Sequence, residues 1–379
     1  MTTDFICGAD ISTLPDTEAD GGRFFDAAGK ARPLLEILRE NGVNGVRLRV
    51  WLDPYTADGT PYGGGTCDTE KMLELAQRAK ESGMGLLLDF HYSDFWCDPG
   101  RQGTPKAWHH MTVSRMGQAL YNYTAKTLER FEKAGVAPES VQVGNEITNG
   151  MCWETARLDR STPEAFADSF DALAALLTAG CRAVRAASDA KSVLHLENSG
   201  NNALWRQWFD QAQGHALDYD IIGASYYPHW HGSLPQLRAN LTDMAERYQK
   251  EIQIVETAYP FTAEPFDTSG TGIMIMQDTA LPDGSQTAFP YTVKGQADFT
   301  RALLETAQQI PRCNAVYWWE PGWLPTPSST WATRAALAEI GEAEKETGNE
   351  WANQCLFDYS GRMTPALTEF RRFAQALNK

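Results

Sequence analysis

Ser140-Val141-Gln142-Val143-Gly144-Asn145-Glu146 is a short apolar run that breaks off at a carboxyl, and Val255-Glu256-Thr257 closes a second such run that begins at Glu251. Six further stretches read the same way: Phe5 to Asp10, Gly45 to Val50, Gly85 to Phe90, Ser192 to Glu197, Asp220 to Tyr227 and Ala315 to Glu320. With Ser140 to Asn145 and Glu251 to Thr257 they make eight candidate strands. Between them lie segments with helical spacing, such as Leu34, Leu35 and Leu38 behind Pro33, or Met72, Leu73, Ala76 and Ala79 opened by Asp68-Thr69-Glu70. Nearly continuous apolar strands suit a parallel sheet buried on both faces. Eight such units predict an α/β fold, a (β/α)8 TIM barrel occupying residues 1–379 as a single domain. A doubly wound open sheet is the runner-up, and it is disfavoured because no Gly-rich phosphate turn follows the first strand: Cys7-Gly8-Ala9-Asp10 lacks the GxGxxG spacing.

Composition narrows the function classes. Lys+Arg 33 against Asp+Glu 49 gives a formal charge of -16, which would repel nucleic-acid phosphates and anionic membrane surfaces while leaving neutral ligands unaffected. No apolar run approaches the roughly 20 residues that cross a bilayer. Met1-Thr2-Thr3-Asp4-Phe5-Ile6 shows neither the basic nor the apolar stretch of a secretory signal, so a cytoplasmic location is expected, or a secreted one if a leader has been removed. Seven cysteines, odd in number and without CxxC or zinc spacing, agree with reduced thiols. Composition leaves the oligomeric state open.

In a barrel of this kind the active site forms at the C-terminal ends of the strands. Glu146 ends the fourth strand and Glu256 the seventh. Cleaving a glycosidic bond needs one carboxyl to protonate the departing oxygen and another to attack or stabilise the cationic carbon, so two Glu at one mouth suggest a sugar-cleaving pair. Arg49, Trp51, Asp89, His91, Asn145, Tyr226, Tyr227, Trp319 and Glu320 fall at the same level. Trp96, Trp108, Trp153, Trp230 and Trp323 follow strands, where their flat rings can pack against the C–H faces of a pyranose.

Phe90-His91-Tyr92-Ser93-Asp94-Phe95-Trp96 with Asp98-Pro99, the run ending in Gly144-Asn145-Glu146, Ser225-Tyr226-Tyr227-Pro228-His229-Trp230-His231-Gly232, Val255-Glu256-Thr257 and Trp319-Glu320-Pro321-Gly322-Trp323 together resemble the arabinogalactan endo-β-1,4-galactanases of glycoside hydrolase family 53. Gly8-Ala9-Asp10-Ile11-Ser12 and Trp351-Ala352-Asn353-Gln354-Cys355-Leu356-Phe357-Asp358 extend the likeness over nearly the whole chain.

The resemblance implies a retaining hydrolase of β-1,4-galactan, arabinogalactan or derived galacto-oligosaccharides, with Glu146 as acid/base and Glu256 as nucleophile. Under that scheme Arg49 would hold Glu256 ionised, Tyr226 or Tyr227 would donate to the same carboxylate, and Asn145 would bind the 2-hydroxyl. Trp319 would floor the cleaved subsite, His91 and His231 would bind hydroxyls, and Asp94, Trp96 and Trp323 would support the substrate. No metal or cofactor is expected: several bacterial members carry a calcium loop after strand seven, whereas Thr262-Ala263-Glu264 runs here into Pro265-Phe266-Asp267-Thr268-Ser269-Gly270, with too few oxygen ligands. Gly272-Ile273-Met274-Ile275-Met276 is apolar for a loop, and the sequence does not choose between a packed lid, an oligomer contact and part of a subsite. A β-galactosidase or mannanase on the same scaffold, and a non-catalytic carbohydrate-binding barrel, are the competing readings.

Overall fold

The computed structural model describes residues 5–266, 274–275 and 279–377. Eight parallel strands close into a barrel: β1 (Ile6–Asp10), β2 (Gly45–Val50), β3 (Gly85–Phe90), β4 (Ser140–Val143), β5 (Lys191–Leu196), β6 (Ile221–Tyr226), β7 (Glu251–Thr257) and β8 (Cys313–Trp319). Each strand pairs with its sequence neighbours, and β8 returns to β1 with Ile6 opposite Ala315 and Asp10 opposite Trp319. The eight expected runs are these strands. A helix follows each one, from α1 (Leu34–Glu40), α2 (Thr69–Glu81), α3 (Val113–Lys133) and α4 (Pro163–Ala187) to α5 (Asn202–Gly214), α6 (Leu234–Tyr248), α7 (Val293–Gln308) and α8 (Pro365–Leu377). Several open on a side-chain cap that satisfies an otherwise unpaired amide, such as Asp68 on Lys71 and Thr162 on Ala165.

Alternation sorts the strand residues into two layers. Leu86, Leu88 and Phe90 face the helices in one continuous core, whereas Leu87, Val193, Ile221, Val255, Ala315 and Tyr317 fill the barrel interior. Gly8 is required for this filling, because a Cβ there would stand 2.1 Å from the Tyr317 ring. Above the apolar layer the inward positions turn polar: Asp10, Arg47, Asp89, Gln142 and His195 are fully buried and lead up to the mouth.

β7 departs from strict alternation. Its register against β6 shifts between Ala224 and Ser225, and against β8 it shifts between Ile254 and Thr257. Val255 packs in the interior layer, so alternation would send Glu256 outward; the bulge places both on the inner side.

Candidate active site

Glu146 stands on backbone that only a tightly held loop sustains. Gly144 leaves β4 at φ 86°, and Glu146 itself adopts φ 49°, in the left-handed region that side chains rarely enter. Its amide donates to His195 Nδ1 at 3.3 Å, and Gln102 Nε2 donates to the carbonyls of Asn145 and Glu146 at 2.8 and 3.2 Å. These contacts hold the carboxyl toward a cavity of about 650 Å³ at the C-terminal mouth, which Glu256 also lines.

The two carboxyls have different surroundings. Arg47 reaches Glu256 Oε1 at 2.8 Å, and Tyr227 donates its hydroxyl to Oε2 at 3.0 Å. Ser225 Oγ donates to Glu146 Oε1 at 2.6 Å, and among the described residues no cation pairs with Glu146. Burial and then repulsion from Glu256 and Glu197 push the Glu146 carboxyl well above the usual range. Burial also raises Glu256, with Arg47 as the main opposing influence. A proton shared by the two therefore settles on Glu146, because the fully buried Arg47 cation is beside the other.

Nine of the twelve expected site residues line this cavity: His91, Trp96, Asn145, Glu146, Tyr227, His231, Glu256, Trp319 and Trp323. Three do not. Arg49, expected to hold Glu256, pairs instead with Glu320 Oε1 at 2.5 Å and lies over the Trp96 ring at 4.3 Å. Arg47 takes the role, one layer deeper on the same face of β2, from where its guanidinium spans Asp10, Asp89 and Glu256, each at 2.8 Å. Of the two tyrosines, Tyr226 donates to the Gly232 carbonyl at 3.0 Å, which leaves Tyr227 as the donor to Glu256. Asp94 accepts from the amides of Asp53 and Lys106 at 3.0 and 2.7 Å, so its carboxyl ties two loops together beneath the mouth.

The histidines also differ. His91 Nε2 lies 3.1 Å from Asp89, while Nδ1 accepts from Trp51 and the Cys97 amide, so both ring nitrogens are already engaged and the expected hydroxyl contact is not open to them. His231 Nδ1 accepts from the Tyr227 amide at 3.1 Å, and burial lowers its pKa to about 3, leaving a neutral ring that lines the cavity. Asn145 keeps one amide hydrogen for a ligand: Nδ2 donates to the Cys97 carbonyl, and Oδ1 accepts from Arg47 and Gln142.

Aromatic rings complete the walls. Trp96, Trp319 and Trp323 meet at centroid distances of 5.8 to 6.1 Å, and Trp351 abuts Trp319 edge-on at 4.6 Å. Trp230, 42% exposed, stands at the rim against Tyr227. Apolar faces beside paired carboxyls and unspent donors make a site for a neutral, hydroxyl-rich chain. Among the described residues no group of three or more His, Cys, Asp or Glu is placed to hold a metal. Much of the compared calcium-loop segment, together with Gly272, Ile273 and Met276, lies outside the described residues; Met274 lines the cavity.

The glycosyl hydrolase family 53 model matches residues 6–370. The chain belongs to that family. It is 35% identical to the endo-β-1,4-galactanase of Bacillus subtilis over 98% of this chain and 86% of that protein. Against the arabinogalactan endo-β-1,4-galactanase of Cellvibrio japonicus it is 34% identical, covering 98% and 91%. The solved family 53 catalytic domain of Ignisphaera aggregans superposes with a TM-score of 0.85 at 35% identity, over 98% of this chain and 96% of that one. This family 53 chain is thus a glycoside hydrolase with a closed eight-stranded barrel.

Arg47, His195, Ser225 and Trp331, the last of which lines the cavity, were not singled out from the sequence. Arg47 and Arg49 share a strand face, so periodicity alone does not separate them. His195 and Ser225 lie on β5 and β6 inside apolar runs, where a polar residue at an inward position is the one available signal.

Proposed function

We propose that this enzyme is a retaining endo-β-1,4-galactanase in which Glu256 attacks the anomeric carbon and Glu146 protonates the bridging oxygen. The observation that carries the proposal is the unequal setting of two carboxyls in one aromatic-walled cavity: Glu256 is held by Arg47 and Tyr227, and Glu146 is buried without a cation partner among the described residues. Attack by Glu256 forms a galactosyl ester and neutralises that carboxylate. Its repulsion of Glu146 then disappears, which lowers the proton affinity of Glu146 as it must take a proton from water. The remaining Asn145 amide hydrogen is suited to the 2-hydroxyl, and Trp319 and Trp96 to the sugar faces.

The galactose preference rests on what the relatives from Bacillus subtilis and Cellvibrio japonicus are named for. Linear β-1,4-galactan and defined galacto-oligosaccharides, followed over time, test it: mixed early oligomers are expected from wild type and none from Glu256→Ala. Preferential turnover of β-mannan, or release of galactose alone, would replace it with one of the competing enzymes. We further propose that the enzyme needs no metal, so EDTA should leave both rate and melting temperature unchanged. A reducing, cytoplasmic setting is proposed as well, supported by seven unpaired cysteines of which six are buried.

A further inference from the structure

Ser225 and His195 lie behind Glu146 and touch no substrate in the scheme above, yet both are fully buried and joined in one chain of contacts. Ser225 Oγ is 2.6 Å from Glu146 Oε1 and 2.8 Å from His195 Nε2. A serine hydroxyl has a single proton, so the direction of this chain depends on which nitrogen of His195 carries hydrogen.

The surroundings of Nδ1 decide that. It meets one donor of fixed direction, the Glu146 backbone N–H at 3.3 Å, and one acceptor, Asn145 Oδ1 at 3.0 Å; Gln142 Nε2 lies 3.0 Å away, with its two hydrogens given to Asp89 and Asn145. The Gln142 amide is oriented by Asp89, which accepts from Nε2 at 2.6 Å; the Asn145 amide is oriented by Cys97 and Arg47. Asn145 Oδ1 already has donors in Arg47 and Gln142, whereas a hydrogen on Nδ1 would oppose the Glu146 N–H. The unprotonated nitrogen is therefore Nδ1, and Nε2–H points at Ser225. Protonation of both is opposed by burial and by the Arg47 cation.

We infer that His195, Ser225 and Glu146 form a donor relay of fixed direction, in which Nε2–H donates to Ser225 Oγ and the Ser225 hydroxyl donates to Glu146 Oε1. The relay rests on the acid/base reading of Glu146 and adds two positioning residues to it. Its consequence is an assignment of oxygens. Oε1 receives a hydrogen bond in both protonation states, so the catalytic proton is confined to Oε2, which has no protein partner among the described residues and is left to the cavity that Glu146 lines. The relay also counters the groups that raise this carboxyl, which are Glu256 on β7, Glu197 after β5 and Asp98 in the loop after β3. Without it the acid would hold its proton too firmly to act later as base.

The test is the basic limb of the kcat/KM profile on a galacto-oligosaccharide, where the leaving group needs the acid. Ser225→Ala should raise the apparent pKa of that limb by about one unit, a tenfold gain in proton affinity, and Ser225→Thr, which keeps the hydroxyl, should return it toward wild type. A limb that stays within the error of wild type in Ser225→Ala overturns the relay. If that variant does not fold, 15N shifts of His195 in the wild-type enzyme decide: hydrogen on Nε2 supports the relay, and hydrogen on Nδ1 overturns it. Glu146→Ala assayed on an activated aryl galactoside separates the two claims. Rescue by azide with an unmoved Ser225→Ala limb refutes the relay alone, whereas no rescue removes the acid/base reading and the relay with it.

Discussion

Replacing Tyr227 by Phe removes one hydroxyl and leaves the ring in its aromatic setting against Trp230, His231 and Trp351. What is lost is the 3.0 Å bond to Glu256 Oε2. A hydrogen bond to a charged group contributes about 1.5 to 3 kcal/mol, and one pKa unit corresponds to about 1.4 kcal/mol, so the loss should raise the Glu256 pKa by about one to two units. Arg47 remains at 2.8 Å, which keeps the carboxylate from neutralising altogether. The sign is fixed: donation favours the ionised form, its removal favours the protonated one, and the acidic limb of activity moves to higher pH. The rate at the optimum should fall by about 10- to 100-fold. An aryl galactoside with a good leaving group is the suitable substrate, because its first step does not need the acid and its acidic limb reports Glu256. Tyr226→Phe is the control, since that hydroxyl donates to the Gly232 carbonyl: it should lower stability by about 1 kcal/mol and leave the limb in place. An unmoved limb in Tyr227→Phe, or an equal shift in Tyr226→Phe, would refute the reasoning.

Arg47→Met should destabilise the barrel by about 3 to 5 kcal/mol, because it strands Asp10, Asp89 and Glu256 without their shared cation; guanidinium melts would show it. Burial lifts Glu197 from an ordinary 4.5 to about 7, and its Oε2 has no partner among the described residues. Its folded pKa is the higher one, so full stability is present below about pH 4.5 and is lost as pH rises through about 7. Glu197→Gln should therefore melt up to about 4 °C above wild type at pH 8, from about 3 kcal/mol of avoided ionisation, and show no such gain at pH 4.

The architecture was legible because parallel strands buried on both faces leave a strong linear trace. All eight runs became strands, and the two carboxyls at their ends came to one mouth. The site was less legible where a choice lay between neighbours. Arg47 and Arg49 have the same side-chain direction, and what separates them is depth: the lower one reaches across to Glu256, and the upper one is drawn under Trp96 to Glu320. Tyr226 and Tyr227 were undecided because alternation says only that one of them points inward. His91 looked free because the sequence does not show Asp89 and Trp51 closing on its ring.

Residue order by itself determined the strand and helix alternation, and with it a barrel carrying Glu146 and Glu256 at its C-terminal rim. The sense in which Glu256 points came from the tertiary structure. Period-two alternation would turn it away from Val255, and the bulge that brings both inward exists only because β7 must pair with β6 and β8 at once. The different proton affinities of the two carboxyls have the same origin. Arg47 on β2, Tyr227 after β6 and Ser225 on β6 are distant in sequence from the groups they act on, and electrostatic influence follows distance through space.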